Sequence, residues 1–173
     1  MVDADLAARA VTADNSPTLA VLAEAFGADI LTANGALDRK LLAQRAFVSP
    51  EQAARLNAIT HPAIIAHMEA QLAQLEAAGE KAVIIDAPLL FEAGMDETCD
   101  LTVAVLACEA VRKARIMARD GIDEAAALHR MEVQPNERFY LERAGNIVYN
   151  DEDDEQLKNQ LSVLLREIAR WCE

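Results

Sequence analysis

Asp3-Ala4-Asp5-Leu6-Ala7-Ala8-Arg9 opens the chain with two carboxylates and, one helical turn beyond Asp5, a guanidinium. Carboxylates at the end of a strand can take a proton from a hydroxyl or help hold a hydrated Mg²⁺. Arg9 is spaced to meet an anionic substrate or to orient Asp5, and the plainer alternative is an acidic cap with an i,i+4 pair. A second acidic locus is Asp86-Ala87-Pro88-Leu89-Leu90-Phe91-Glu92, which follows a short apolar run. In open parallel sheets ligands collect beyond the carboxyl ends of strands. Asp86 could therefore act through water on a metal, and Glu92 could order the loop or the substrate. The alternative is a strand-ending Asp with a solvated Glu. Arg112, Arg115 and Arg119, with Lys113 beside them, share one helical stripe in an otherwise acidic chain. Such a stripe suits phosphates, although basic residues late in a helix also complement its dipole. Arg130 and Arg138 continue the basic thread through two segments that could form a lid closing over phosphates. His61 before Pro62 could act chemically or simply cap and pack. Asn150 after Tyr149 could read a purine or merely turn the chain.

Elements of several kinds must position these groups. Ala, Leu, Glu and Gln dominate, and aromatics are only 4% of residues, so helices prevail. The pattern predicts helices over 3–11, from Pro17 to Phe26-Gly27, and from an Asp38 cap to Phe47. It predicts a turn at Asn34-Gly35, and a helix started by Ser49-Pro50 that runs to about Ile59. His61-Pro62 should break that helix and begin another, ending at Ala78-Gly79. The apolar runs 82–86 and 101–107 do not alternate with polar residues, so both read as strands buried on two faces. Helices follow at about 109–119, 123–133 and 136–143, then a short strand over 147–149 and a last helix over 155–171. Strands separated by helices make a three-layer α/β fold with a parallel sheet. Three strands are legible where such a sheet has about five. Either two hide in helical-looking sequence or the chain begins partway through its fold.

The 173 residues carry 16 Lys+Arg against 29 Asp+Glu, a net charge of −13, with 53% hydrophobic residues. That is one compact domain rather than a disordered chain. The acidic balance argues against nucleic acid or an anionic membrane surface as partner, since both need a basic face. No apolar run is long enough to span a bilayer and no leader is legible, so the cytoplasm is the expected compartment. Cys99, Cys108 and Cys172 form no C-x-x-C, and His61, His67 and His129 match no metal spacing. A protein-built metal cage is not expected.

Taken in order, these pieces resemble the dephospho-CoA kinase family of P-loop enzymes. The likeness rests on Asp3-Ala4-Asp5…Arg9, Phe26-Gly27, Asn34-Gly35-Ala36-Leu37-Asp38-Arg39 and Leu56-Asn57-Ala58-Ile59-Thr60-His61-Pro62. It continues through Pro88-Leu89-Leu90-Phe91-Glu92, then Arg115 to Arg119-Asp120-Gly121, Arg130, Gln134 and Ile147…Asn150. The resemblance implies transfer of the γ-phosphoryl of Mg²⁺-bound ATP to the ribose 3′-hydroxyl of dephospho-CoA, a small-molecule substrate, in the last step of coenzyme A biosynthesis. It implies Asp5 as general base, with Asp3, Arg9, His61 and Glu92 on the acceptor side. Arg115 and Arg119 would hold ATP phosphates, Arg115 being also a catalytic group, and Asn150 would lie near the adenine. It further implies one domain over 1–173, with a helical acceptor region over about 3–79 and a lid over about 112–143.

Some departures stand beside it. The family opens with a strand and a G-x-x-x-x-G-K-[ST] phosphate loop, and nothing in the 173 residues matches that signature. Asn15 stands where the family favours Gly, and Ile65 where many members carry Arg. The expectation is that the natural gene product starts upstream, that a strand between 82–86 and 101–107 is missing, and that this chain turns over little. The competing readings are another nucleoside or nucleotide kinase, and a non-catalytic domain that binds a CoA-like ligand or a partner helix.

Overall fold

The computed structural model describes residues 1–132, 134–151 and 154–171, so Val133 and Cys172 lie outside the described residues. It contains two compact units, Met1–Leu90 and Phe91–Glu173.

In the first unit Val2–Asp3 (β1) pairs in parallel with Ile85–Asp86 (β2), Val2 opposite Ile85 and Asp3 opposite Asp86. Sequence periodicity missed β1, because a single apolar residue between Met1 and an acidic run carries no period. Tertiary pairing supplies it: the Val2 amide donates to the Ile84 carbonyl at 2.8 Å, and Val2 is 2% exposed. The helices are α1 (Ala4–Val11), α2 (Pro17–Phe26), α3 (Arg39–Ala46) and α4 (Pro50–Ala77). Each begins at a polar cap, expected at Asp38 and Ser49 and found also at Asp3 and Ser16. Asp3 accepts from the Leu6 amide at 2.9 Å, Ser16 from Leu19 at 3.1 Å, Asp38 from Leu41 at 2.9 Å and Ser49 from Gln52 at 3.3 Å. Such caps satisfy amides that the first helical turn leaves without partners. Asn15, the one non-glycine residue with positive φ among those described, takes φ 62° between α1 and α2.

One expectation is corrected here. Pro62 does not end a helix; it sits inside α4, which continues unbroken to Ala77. Proline removes an amide donor and crowds the preceding turn. Packing of α1, α2 and α3 along α4 overrides that local cost. Leu22, Phe26, Ile30, Leu42 and Ala46 form the core between α2, a 3-10 turn over Ala28–Ile30, and α3. A polar clasp closes the same corner. The Arg45 guanidinium, at the end of α3, pairs with Asp29 and also donates to the Phe26 carbonyl. Between them Gly27 adopts φ 103°, and a Cβ there would lie 2.5 Å from Arg45 Nη1 and 2.7 Å from Asp29 Oδ1.

In the second unit Val103–Leu106 (β3) pairs in parallel with Asn146–Tyr149 (β4). Around them lie α5 (Glu109–Asp120), α6 (Glu124–Glu132), α7 (Glu137–Leu141) and α8 (Asp154–Trp171). Parallel strands joined by helices give the expected α/β class. The expected double-sided burial does not hold. Ala104 and Leu106 are buried, but Val105 is 63% exposed, and in the first unit Ile84 is 64% exposed. Among the described residues each sheet has two strands. Side chains that alternate away from the covered face of so small a sheet meet solvent.

Candidate functional site

In the first unit the acidic groups gather where β1 and β2 end. Asp3 and Asp86 are register partners, which sets their Cα atoms side by side at the carboxyl ends of two parallel strands. Asp3 spends one carboxylate oxygen on the α1 cap. Asp5 and Arg9 follow on α1, both exposed and one turn apart. Helix α1 packs along α4, which carries the half-buried His61. The fold thus brings Asp3, Asp5, Arg9 and Asp86 onto neighbouring elements, with His61 on the helix packed against α1 and β1.

In the second unit Arg115 and Asn150 meet directly. Arg115 Nη1 donates to the Asn150 carbonyl at 2.7 Å, and Nη2 donates to Asn150 Oδ1 at 3.2 Å and to the Asp151 carbonyl at 2.8 Å. Asp151 Oδ1 also accepts the Cys108 amide at 2.6 Å, at the start of α5. One guanidinium therefore fixes the turn after β4. With its oxygen committed, the Asn150 amide has NH₂ hydrogens left to offer an acceptor such as a ring nitrogen.

The three arginines of α5 do not form a row of free guanidiniums. Arg119 grips Asp120 with two hydrogen bonds of 2.8 and 2.9 Å, and Arg130 from α6 shares the same carboxylate. The Arg119 hydrogen bond, followed by the charge of both arginines, lowers the Asp120 pKa from its ordinary value. Two cations and one anion leave a net positive knot there. Arg112 is half-buried, and its Nε is enclosed with no hydrogen-bond partner.

Glu92 has a partner that sequence reasoning did not find. Tyr140 on α7 donates its hydroxyl to Glu92 Oε1 at 3.0 Å and meets Phe91 edge-on at 6.0 Å. Phe139 stacks edge-on against Tyr140 at 5.1 Å, and the Arg143 guanidinium lies 4.0 Å from the Phe139 ring centroid. Burial first, then the Glu92 carboxylate, push the Tyr140 hydroxyl up to about 12, opposed by the charge of Arg112. The available signal was an aromatic pair in an aromatic-poor segment. Among the described residues no group of three His, Cys, Asp or Glu side chains could hold a metal ion, and no helix is long and apolar enough to cross a membrane.

Comparison with known proteins adds a lineage. A family model described as dephospho-CoA kinase (CoaE) matches residues 1–156. A dephospho-CoA kinase of Corynebacterium efficiens is 42% identical over 168 residues, covering 97% of this chain and 84% of the relative. Another, of Syntrophotalea carbinolica, is 41% identical, covering 98% of this chain and 80% of the relative. Among solved structures, a Thermus thermophilus protein superposes with a TM-score of 0.72 at 30% identity, covering 96% of this chain and 83% of its own. The dephospho-CoA kinase of Campylobacter jejuni superposes with a TM-score of 0.70 at 25% identity, over 98% of this chain and 84% of its own.

Proposed function

Because the chain belongs to the dephospho-CoA kinase family, we propose that its residues divide the labour of that reaction as follows. The reaction moves the γ-phosphoryl of ATP to the ribose 3′-hydroxyl of dephospho-CoA and is the last step of coenzyme A biosynthesis. The bond from the γ-phosphorus to the β,γ-bridging oxygen breaks, the bond to the 3′-oxygen forms, and ADP leaves. Phosphoryl transfer asks little covalent chemistry of a protein, so positioning and charge do most of the work. Asp5, solvent-facing on the first turn of α1, accepts the hydroxyl proton. Asp3, Arg9 and His61 serve the acceptor side. Glu92, steadied by Tyr140, serves it as well. Arg115 and Arg119 meet phosphates, exchanging present carbonyl and carboxylate partners for phosphate oxygens. Asn150 offers its amide to the adenine.

Mg²⁺ suits this donor set only as a partly hydrated ion held by ATP phosphates and one or two carboxylates, for which the adjacent Asp3 and Asp86 are the candidates. When bound it neutralises phosphate charge. The cytoplasm is the compartment we propose. The family match over 1–156 is the observation that carries the reading.

Calorimetric titration of the 173-residue chain tests it. Dephospho-CoA is expected to bind more tightly than adenosine monophosphate; equal affinities, or no heat with dephospho-CoA, overturn the assignment. The chain contains no G-x-x-x-x-G-K-[ST] segment, so ATP-dependent formation of CoA is expected to be slow. It should still exceed the blank and fall to it in Asp5→Asn. A rate that Asp5→Asn leaves unchanged removes Asp5 from the role of base.

A further inference from the structure

Strand β4 ends at Tyr149, one residue before Asn150. In a parallel strand, alternate residues turn both of their backbone groups to the same side. The amides of Asn146 and Asn150 donate toward β3, to the carbonyls of Thr102 and Leu106 at 2.9 and 2.8 Å. Tyr149 therefore turns its own amide and carbonyl away from β3, to the outer edge of the sheet. Among the described residues no strand pairs on that edge. Gln160 of α8 stands there instead. Its Oε1 accepts the Tyr149 amide at 2.9 Å, and its Nε2 donates to the Tyr149 carbonyl at 3.0 Å. A side-chain amide carries the donor and the acceptor of a peptide group, so one residue makes both bonds that a neighbouring strand would make. Nε2 also reaches the Gln156 carbonyl, one helical turn back, at 3.4 Å.

Packing does not make this clamp redundant. Between β4 and α8 lies a cavity of about 250 Å³, with Ile147 and Val148 on one wall and Val163 and Leu164 on the other. Side chains facing a void lose the close contacts that would fix one element on another. Val163 and Leu165 are 60% and 62% exposed, so α8 also keeps apolar groups in water. The Gln160 amide is the directional tie between helix and strand.

The same turn is gripped from its other side by Arg115, through the Asn150 and Asp151 carbonyls and Asn150 Oδ1. Asn150 is thus held through its own amide, carbonyl and side-chain oxygen, and through the residue before it. What it leaves open is its NH₂ group. Such a donor reads a ring nitrogen only while it stays aligned, because a hydrogen bond weakens steeply off its axis.

We propose that Gln160 is a positioning residue for nucleobase recognition: by clamping both backbone groups of Tyr149 from α8, it fixes the direction in which Asn150 offers its NH₂ hydrogens. The inference rests on the function proposed above, in which Asn150 meets the adenine, and adds the group that aims it.

A double-mutant cycle on the full chain tests it, with ADP as the calorimetric probe. Gln160→Met keeps the length of the side chain and removes both bonds to Tyr149. It is expected to weaken ADP about fivefold, the scale of one neutral hydrogen bond. In an Asn150→Ala background the same change is expected to cost less than about twofold, because residues that act through one another are not additive. Proton–nitrogen spectra give a second readout. The side-chain NH₂ signal absent from Asn150→Ala belongs to Asn150, and ADP is expected to shift it in the wild type and to shift it less in Gln160→Met. If Gln160→Met does not fold, Gln160→Glu, which keeps the acceptor and loses the donor, decides by the same comparisons. Wild-type ADP affinity in the folded variant overturns the proposal. So does a loss that is as large in the Asn150→Ala background, or an Asn150 signal that ADP shifts equally in both proteins. A wild-type chain that binds no ADP, or binds it no better than Asn150→Ala does, overturns instead the adenine role of Asn150 on which the proposal rests.

Discussion

Tyr140 ties the Glu92 carboxylate to α7 through a 3.0 Å hydrogen bond, and that bond has a signature in pH. An unfolded tyrosine titrates near ~10, whereas Tyr140 is held protonated to about 12 by burial and by the Glu92 charge. Because the folded-state value is the higher one, its contribution to stability is complete below ~10 and lost as pH rises toward about 12. Denaturant midpoints measured at pH 9 and at pH 11 should therefore fall less in Tyr140→Phe than in the wild type; identical falls would show that the hydroxyl carries no such linkage. At this scale the sequence offers candidates by residue type alone, such as Asp5, Arg9, Glu92 and Arg115. It was silent on partners. Nothing in the spacing of Glu92 and Tyr140 joins residues 48 positions apart, and nothing foretold that Arg115 would use both Nη groups on the turn at Asn150 and Asp151.

Helix starts were legible because a cap is a local event. Ser16, Asp38 and Ser49 each bond an amide three residues on, and Pro17 and Pro50 sit at the first helical positions of α2 and α4. Helix α4 itself was not legible as one element, since Pro62 reads locally as a break and only its neighbours keep the helix whole. The two-residue strand β1 was hidden for the same reason, its pairing being made with residues more than eighty positions away. The prediction at this scale concerns Pro62. Replacing it with Ala restores an amide donor inside a helix, where proline costs up to ~3 kcal/mol relative to Ala. Part of that gain is offset by the freer unfolded chain. Pro62→Ala is expected to raise the melting temperature by a few degrees in a thermal scan. A lowered melting temperature would mean that the proline's shape, rather than the packing around it, holds α4 in place.

The α/β class of the whole chain was legible from the alternation of apolar runs with helical segments, but the solvent exposure of its strands was not. Runs such as 101–107 look doubly buried because a sequence does not show how many strands flank them. Ile84 and Val105 leave large side chains in water, and apolar surface of that kind favours self-association. The charge of −13 opposes it by repulsion. Light scattering should therefore show association growing with added salt, which screens that repulsion, and the double substitution Ile84→Thr and Val105→Thr should reduce it. Equal scattering from both proteins would place the sticky surface elsewhere.

Tolerance to change is also uneven along the chain, and the Arg45–Asp29 clasp sets one of its limits. At Gly35, Gly79 and Gly94 an added methyl group would meet nothing within 4 Å, leaving only backbone preference to resist it. At Gly27 it would collide with both halves of the clasp. A side chain at Gly27 therefore asks the ends of Arg45 and Asp29 to swing aside as well as the backbone to hold φ 103°, one demand more than the open glycine positions make.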